Sequence, residues 1–306
     1  MNPLASAPNV DPTRTITSVE AAELTPTRFR EEFLERMRPV VVRGAVRHWP
    51  AFEHWRSPEY LRDRLGNPNV GTVTRPLVEP PGHDANKTAT VELPLATFLE
   101  QITTGARGHR VLHAYELAEK SPLAPIADDV GGFPFLPGEL AAPRIYPRKR
   151  AFLYRDSYTD WHYHETDETL MSQVKGAKEV LILPPDAATF ALLSKINAET
   201  GPLWDVDRAR YPGFAALTPY RVVVEPGDAL YIPTFYWHAV ASLGDDFGCT
   251  VAWCWGTPLH LFDPRLAGVR SALRASVKSG FFPLAAAAAA WSLLHVGRLV
   301  RPAYTV

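Results

Sequence analysis

From about Ala151 the sequence breaks into short strand-like segments at regular spacing, and this pattern constrains the fold more than any other feature. The segments span residues 151–155, 160–165, 169–175, 178–183, 220–225, 228–232, 237–242 and 248–255. Glycines and prolines punctuate them, for example at Gly176 and at Pro226-Gly227. Many short antiparallel strands joined by tight turns are typical of a β-sandwich or a β-barrel. The sequence therefore predicts a mainly β fold.

Helical segments are expected on both sides of this β region. Residues 1–24 predict a loosely packed lead-in, because they are rich in Pro, Ser, Thr and Asn. The main domain is expected over 25–262, and a helical extension over 263–306. An apolar stripe runs along the first helix of this extension, at Leu266, Val269, Leu273 and Val277. An alanine-rich helix follows, which we expect to form a homodimer contact and not a membrane anchor, since alanine contributes little to insertion.

Composition narrows the class of protein. The chain has 306 residues, 46% of them hydrophobic, and a net charge of -1, so it should form one large domain with an ample core. The near-zero charge argues against nucleic acid as the main partner, because phosphate binding requires a marked basic excess. Cys249 and Cys254 are an odd number of residues apart in one strand, which disfavours a disulfide. Without a recognisable secretion signal, the expected compartment is the cytoplasm.

The strongest chemical signal is a group of histidines. In an extended strand, side chains alternate between faces, so His162 and His164 point the same way. His238 follows on a distant strand, and Asp167 and Glu168 come shortly after the histidine pair. Nitrogen and oxygen donors of this kind suit first-row divalent metals, above all iron where oxygen chemistry follows. A lone histidine is more often a hydrogen-bonded structural residue, but the pairing favours a metal site.

Three further stretches occur in a recognisable order. They are Arg38-Pro39-Val40-Val41-Val42-Arg43-Gly44-Ala45 with Trp49-Pro50-Ala51, Gln173-Val174-Lys175-Gly176-Ala177-Lys178 running into Leu183-Pro184-Pro185, and Glu225-Pro226-Gly227-Asp228-Ala229-Leu230-Tyr231-Ile232-Pro233 with Trp237-His238. In this order the chain resembles the cupin-like branch of the Jumonji C family of Fe(II)- and 2-oxoglutarate-dependent oxygenases, over about residues 27–258. The resemblance implies a double-stranded β-helix (cupin or jelly-roll) barrel with N-terminal α/β elements.

The resemblance also implies roles for particular residues. His162 matches the first metal ligand of the family and His238 the last. Thr159 and Lys178 match residues that hold the far carboxylate of the cosubstrate 2-oxoglutarate, and Tyr115 is similar to a tyrosine that assists them. A buried ammonium with hydroxyl donors is chemically what a dicarboxylate tail requires. A solvated lysine at a strand end is the alternative interpretation of Lys178.

One position departs from the family. The family reads His-x-Asp or His-x-Glu, whereas this chain has His164 at the second ligand position. The spacing His162-x-His164-x3-Glu168 resembles instead the metal-binding cupins whose ligands are three histidines and a glutamate. The expected metal ligands are therefore His162, His164, Glu168 and His238, with Asp167 as an alternative carboxylate. Four protein ligands would leave too few open positions for both 2-oxoglutarate and dioxygen.

Three functions are open at this point. The first is an Fe(II)/2-oxoglutarate hydroxylase with His162, His164 and His238 at its catalytic centre, acting on a protein side chain or a small molecule. The second is a cupin metalloenzyme that does not use 2-oxoglutarate, which the His-x-His-x3-Glu spacing favours. The third is a non-catalytic binding protein that kept the barrel.

Overall fold

The computed structural model describes residues 4, 9–11, 13–75, 90–105, 108–112, 114–200, 206–244 and 246–306. His83 and His113, to which the sequence assigns structural or surface roles, lie outside these residues.

The strands are β1 (Thr17–Glu20), β2 (Val40–Arg43), β3 (Asn69–Arg75), β4 (Thr90–Pro94), β5 (His109–Leu112), β6 (Tyr115–Glu116), β7 (Lys149–Arg155), β8 (Tyr158–His162), β9 (Asp167–Lys175), β10 (Ala177–Leu183), β11 (Tyr220–Val224), β12 (Ala229–Ile232), β13 (Trp237–Leu243) and β14 (Gly248–Gly256). The helices are α1 (Pro26–Arg28), α2 (Pro50–His54), α3 (Pro58–Leu65), α4 (Leu95–Thr103), α5 (Ala187–Thr200), α6 (Pro212–Ala215), α7 (Pro258–Leu261), α8 (Ala267–Lys278), α9 (Pro283–Leu294) and α10 (Val296–Leu299). A π-helical segment, Phe29–Leu34, continues α1.

In the described part of the chain the strands form two sheets. The main sheet has the order β1-β2-β12-β9-β14-β7-β5-β3-β4, with β6 beside β7, and the small sheet has the order β11-β10-β13-β8. From β7 to β14 the chain alternates between the sheets, except at the β10–β11 pair, which is how a jelly roll is wound. The predicted mainly β jelly roll with helical additions is confirmed, as two facing sheets and not as a closed ring of strands.

Period-two alternation places the side chains of the main sheet in two environments. On β7, Ala151 and Leu153 are fully buried in a core beneath the outer face of the sheet, whereas Arg150, Phe152 and Tyr154 line a cavity between the two sheets. The outer core also holds large fully buried aromatic side chains, among them Trp49, Trp55 and Trp255. Each such burial stabilises the fold by roughly 1.5–3 kcal/mol. The outer core supports one wall of the cavity, and a second core encloses the small sheet.

The two ends of the chain pack more closely than the sequence suggests. Thr17–Glu20, within the expected loose lead-in, pairs in parallel with β2 at the edge of the main sheet. At the other end, Leu266 and Val269 are buried in the second core. Thr305 is hydrogen-bonded to the domain, since its N–H donates to the Arg36 carbonyl at 3.0 Å. Among the described residues, no helix combines the length and apolar character needed to cross a membrane.

Candidate metal centre

Three histidines meet where the small sheet borders the cavity. His162 is the last residue of β8 and His238 lies directly opposite it on β13, while His164 lies two residues beyond the end of β8. The ring centroids of His162 and His238 are 4.2 Å apart, and that of His164 lies 5.5 Å and 5.0 Å from them. One nitrogen of each ring lies within 4.8 Å of the other two. The structure therefore brings together the three histidines that the sequence selects.

Hydrogen bonds define which nitrogen of each ring faces the centre. Nδ1 of His162 lies 2.8 Å from the carbonyl oxygen of Asp160, and Nδ1 of His238 lies 2.9 Å from that of Tyr236. Because a carbonyl oxygen only accepts, these Nδ1 atoms carry the proton and donate. Nδ1 of His164 lies 2.8 Å from the hydroxyl oxygen of Thr169, which can accept in the same way. The rings of His162 and His238 then keep an unprotonated Nε2 for a ligand, and His164 offers the same when the Thr169 hydroxyl accepts from its Nδ1.

Burial keeps these imidazoles neutral. It is the largest cause that lowers the pKa of His162, His164 and His238, and the pKa values of His164 and His238 fall well below the usual range. Neutral rings whose lone pairs converge repel one another unless a cation lies between them. Neutral imidazole nitrogen is a common ligand of first-row divalent metals, so the three residues fit such an ion.

The carboxylates expected at this centre lie elsewhere. Glu168 is fully buried: one carboxylate oxygen accepts from Nδ1 of His260 at 2.6 Å, and the other accepts from the Tyr231 hydroxyl and the Thr234 N–H at 2.9 and 3.1 Å. β9 starts at Asp167, and alternation along it turns Glu168 to the outer core while Thr169 faces the cavity. The prediction that Glu168 binds the metal is therefore wrong.

Asp167 does not replace it. Its two carboxylate oxygens accept three backbone N–H groups, those of Arg144, Ile145 and Tyr146, at 2.7–3.0 Å. Among the described residues, the group able to hold a metal ion consists of the three histidines.

The cavity next to the histidines has a volume of about 390 Å³. Both Thr159 and Lys178 line it, as the sequence predicts. The Lys178 ammonium lies 4.2 Å from the centroid of the Tyr154 ring, and burial lowers the pKa of Lys178 to about 7. No carboxylate of the described residues forms an ion pair with this lysine. A buried amine without an acidic partner is costly, and a ligand carboxylate would offset the cost.

Tyr115 does not reach this cavity, so its expected place at the edge is wrong. It pairs with Ala151, packs against the outer core, and its hydroxyl oxygen accepts the Gly71 N–H at 2.8 Å. The resemblance placed it from a loosely matched stretch, and only the pairing of β6 with β7 decides which face it occupies.

Sequence reasoning missed several residues that line the cavity. They are His109, Tyr146, Arg150, Phe152 and Tyr154. A usable signal was present for three of them: on the strand before the histidine pair, Arg150, Phe152 and Tyr154 alternate with the apolar Ala151 and Leu153.

A two-sheet jelly roll with histidines converging on an internal cavity is the arrangement of a cupin-type metal-binding protein. The family model described as a cupin-like domain matches residues 26–259. The chain therefore belongs to the cupin-like, Jumonji C-type family, as the resemblance predicts.

Three relatives illustrate the range of this family. The human tRNA wybutosine-synthesizing protein 5 is 29% identical over 141 residues, which cover 44% of this chain and 44% of that protein's own length. The Drosophila melanogaster Jumonji C domain-containing protein 5 is 22% identical over 81% of this chain and 64% of its own. The human bifunctional peptidase and (3S)-lysyl hydroxylase JMJD7 is 26% identical over 71% of this chain and 77% of its own. A protein named as a hydroxylase thus stands among the relatives.

Proposed function

We propose that the protein is an Fe(II)- and 2-oxoglutarate-dependent oxygenase that hydroxylates its substrate. The observation that carries the proposal is one cavity holding two complementary features: three unprotonated imidazole nitrogens at one end, and the unpaired amine of Lys178 at the other. The first suits a divalent metal and the second suits the tail of a dicarboxylic acid.

In this proposal His162, His164 and His238 hold the iron. Three protein ligands would leave more positions on the ion open for the cosubstrate and dioxygen than four would, which removes the conflict that a fourth ligand, Glu168, would create. The residues behind the histidines orient them: the carbonyls of Asp160 and Tyr236 hold two rings, and the Thr169 hydroxyl holds the third. Such partners fix both the tautomer and the direction of each ring.

Lys178 and Thr159 would bind the far carboxylate of 2-oxoglutarate. Lys178 takes up a proton as the carboxylate arrives, because the anion stabilises the ammonium form against its burial. When bound, iron and 2-oxoglutarate supply dioxygen activation, so that a substrate C–H bond becomes an alcohol while 2-oxoglutarate is converted to succinate and carbon dioxide. The chain's own part is to orient these partners in the cavity between the two sheets.

A protein side chain or a small molecule is the proposed substrate. A cavity of about 390 Å³ lies at the small end of the range for ligand sites, about 300–1,000 Å³. One relative is named for lysyl hydroxylation, which fits a side-chain substrate. Other relatives are named for tRNA wybutosine synthesis, but the net charge of -1 supports a substrate other than nucleic acid. We place the protein in the cytoplasm, where its two free cysteines stay reduced.

The test is anaerobic reconstitution of the full chain with Fe(II), followed by metal analysis, 2-oxoglutarate titration and detection of succinate after oxygen is admitted. We expect one iron per chain, saturable 2-oxoglutarate binding, and slow succinate formation even without substrate. The second candidate, a cupin metalloenzyme that does not use 2-oxoglutarate, is favoured by a metal group without a carboxylate. Iron-loaded protein that neither binds 2-oxoglutarate nor forms succinate would establish it. Failure to bind a metal would leave a non-catalytic binding protein.

A further inference from the structure

A second cation, Arg150, lies at the histidine end of the cavity. Its side chain lines the cavity, and the guanidinium carbon lies 4.1 Å from the centroid of the Tyr146 ring. The Tyr146 ring is in turn 5.1 Å from the His164 ring. Arg150, Tyr146 and His164 thus form a continuous row of side chains along the cavity. Arg150 therefore lies close enough to act on whatever binds at the three histidines.

The guanidinium of Arg150 is not neutralised by the protein around it. One of its terminal nitrogens lies 3.8 Å from the Cys254 sulfur, a weak acceptor, and its Nε is buried without a hydrogen-bond partner. Among the described residues no carboxylate forms an ion pair with Arg150. Asp167, two positions before the cavity-lining Thr169, uses its oxygens on backbone N–H groups. The donors of Arg150 are left for a ligand.

The charge of the site also requires an anion. Three neutral imidazoles leave the charge of a divalent ion uncompensated, and Arg150 adds a further positive charge beside it. Asp160, which lines the same cavity two residues before His162, supplies one negative charge and offsets only part of this excess. The tail carboxylate of 2-oxoglutarate pairs with Lys178 in the proposed function, so only its other carboxylate remains for the metal end. Buried charge without a counter-charge is strongly unfavourable. A second anionic group at the histidine end would remove this imbalance.

Arg150 and Lys178 lie too far apart to bind the same carboxylate of a ligand. Arg150 and Tyr154 are four residues apart on β7, so about 13 Å separates their Cα atoms. Lys178 lies over the Tyr154 ring. The cavity thus carries one cation at each end, with the histidines next to Arg150.

We propose that the Arg150 guanidinium binds a carboxylate of the substrate, so that the substrate of this oxygenase is a carboxylic acid. This inference rests on the proposed function, but the binding of a carboxylate can be measured without turnover. The planar fork of a guanidinium matches a carboxylate in two parallel hydrogen bonds, which a neutral amide in the same place cannot form. The carboxylate belongs either to a small molecule or to an acidic side chain, and the test separates these sources.

The experiment uses full-length protein loaded with Zn(II), which is redox-inert, and saturated with 2-oxoglutarate. Calorimetric titration compares three acids with their neutral amide counterparts. N-acetylaspartate and N-acetylglutamate with their α-carboxyl group blocked as an amide keep a free side-chain carboxylate and stand for acidic side chains. N-acetylalanine stands for a small acid. In each neutral counterpart the remaining carboxylate is also an amide. We expect at least one acid to bind while its amide does not. We also expect the Nε–H signal of Arg150 in a ¹⁵N NMR spectrum to shift on binding.

Arg150→Gln should weaken that binding at least about tenfold, and Arg150→Lys should lie between it and the wild type, because charge remains but the fork is lost. Arg148→Gln is the matched control: it is a neighbouring arginine whose guanidinium donates to the carbonyls of Leu140 and Ala141. The control should leave binding unchanged. Should Arg150→Gln fail to fold, Arg150→Lys and the wild-type NMR signal still decide the question.

Two outcomes overturn the inference. Acids that bind no better than their amides, or equally well to wild type and Arg150→Gln, exclude a carboxylate at Arg150. A tenfold loss of 2-oxoglutarate affinity in Arg150→Gln without effect on any acid assigns Arg150 to the cosubstrate instead. If the protein fails to bind 2-oxoglutarate, the proposed function fails, yet an acid that binds through Arg150 in the Zn(II) protein still supports the inference.

Discussion

Two clusters of buried polar side chains lie on opposite faces of β9, and they differ in how their polar atoms are satisfied. On the outer face, the carboxylate of Glu168 accepts hydrogen bonds from His260, Tyr231 and Thr234. On the cavity face, which holds Thr169, three histidines come together, and one nitrogen of each lies within 4.8 Å of the other two. Glu168 and His260 are fully buried, whereas His162 is half-buried, and both clusters contain histidine.

The difference separates a structural role from a functional one. The oxygens of Glu168 find donors within the protein, so this cluster holds α7 against the main sheet without any ligand. One nitrogen of each of the three histidines lies within 4.8 Å of the other two, and the metal ion of the proposed function would complete this cluster. Sequence spacing places Glu168 with the histidines, whereas the hydrogen bonds assign it to the other cluster. Five experiments test this difference between the two clusters, and they follow in decreasing order of expected effect.

The largest effect should follow from His238→Ala. Loss of one of three ligands should lower Fe(II) affinity by more than about 100-fold, since substitutions behind a ligand already cost about 10–100-fold. The stability of the metal-free protein should not fall, because the change removes one of three mutually repelling lone pairs. Metal analysis and thermal unfolding measure the two effects. His48→Ala, at an exposed histidine, is the control, and undiminished iron in His238→Ala would contradict the metal assignment.

Glu168→Ala should have the opposite pattern of effects: it should lower the stability of the fold and leave iron binding unchanged. It leaves buried donors of His260, Tyr231 and Thr234 without their acceptor, and each unsatisfied buried donor costs about 1–3 kcal/mol of folding free energy. Iron stoichiometry in the folded fraction should stay at one per chain. Urea unfolding and metal analysis of the same sample check both statements. A variant of normal stability that has lost its iron would return Glu168 to the ligand set.

Lys178→Met should weaken 2-oxoglutarate binding to the metal-loaded protein. A hydrogen bond to a charged group contributes roughly 1.5–3 kcal/mol, which corresponds to about a 10- to 150-fold loss of affinity. The same change at the exposed Lys195 should have no effect. Calorimetric titration provides the measurement, and equal isotherms for wild type and Lys178→Met would reject the role of this lysine.

The affinity for 2-oxoglutarate should also depend on pH. The pKa of Lys178 is lowered to about 7, and only its ammonium form pairs with a carboxylate. Affinity should therefore fall as pH rises above 7, by up to about tenfold per pH unit. Tyr154 and Cys249 face Lys178, but burial raises the pKa of both, so they stay neutral over this range. Titrations from pH 6 to 9 should lose this slope in Lys178→Met.

The smallest effect on the site should come from the C-terminal helices, which we propose form a homodimer contact. At the end of α9, Leu293 and Leu294 are 77% and 80% exposed, and Phe281 and Phe282 before this helix are exposed as well, whereas Trp291 is buried. Replacing both with Glu should give a monomer by light scattering and leave iron binding unchanged. Lys278→Glu on α8 is the control for added negative charge. A wild-type protein that is already monomeric would dismiss the contact.

Much of the fold and part of the site could be predicted because they depend on local patterns. Strand period, turn residues and the His162-x-His164 pair are properties of neighbouring residues, so the jelly roll and the shared face of these histidines could be derived. The motif match placed Lys178 and Thr159 in the cavity as well. Thr159 lies on the same strand as His162, and Lys178 ends the matched stretch that begins at Gln173. The motif match therefore determines where both residues lie.

The remaining features were decided by tertiary structure. β9 begins at Asp167, and the alternation of side chains from that residue onward turns Glu168 to the outer core. The pairing of β6 with β7 turns Tyr115 away from the cavity. Parallel pairing with β2 makes a strand of Thr17–Glu20. Arg150 becomes a cavity residue only because β7 lies beside β14 opposite the small sheet. Alternation tells which residues share a face, but only the packing of one strand against distant ones decides whether that face meets the core or the ligand.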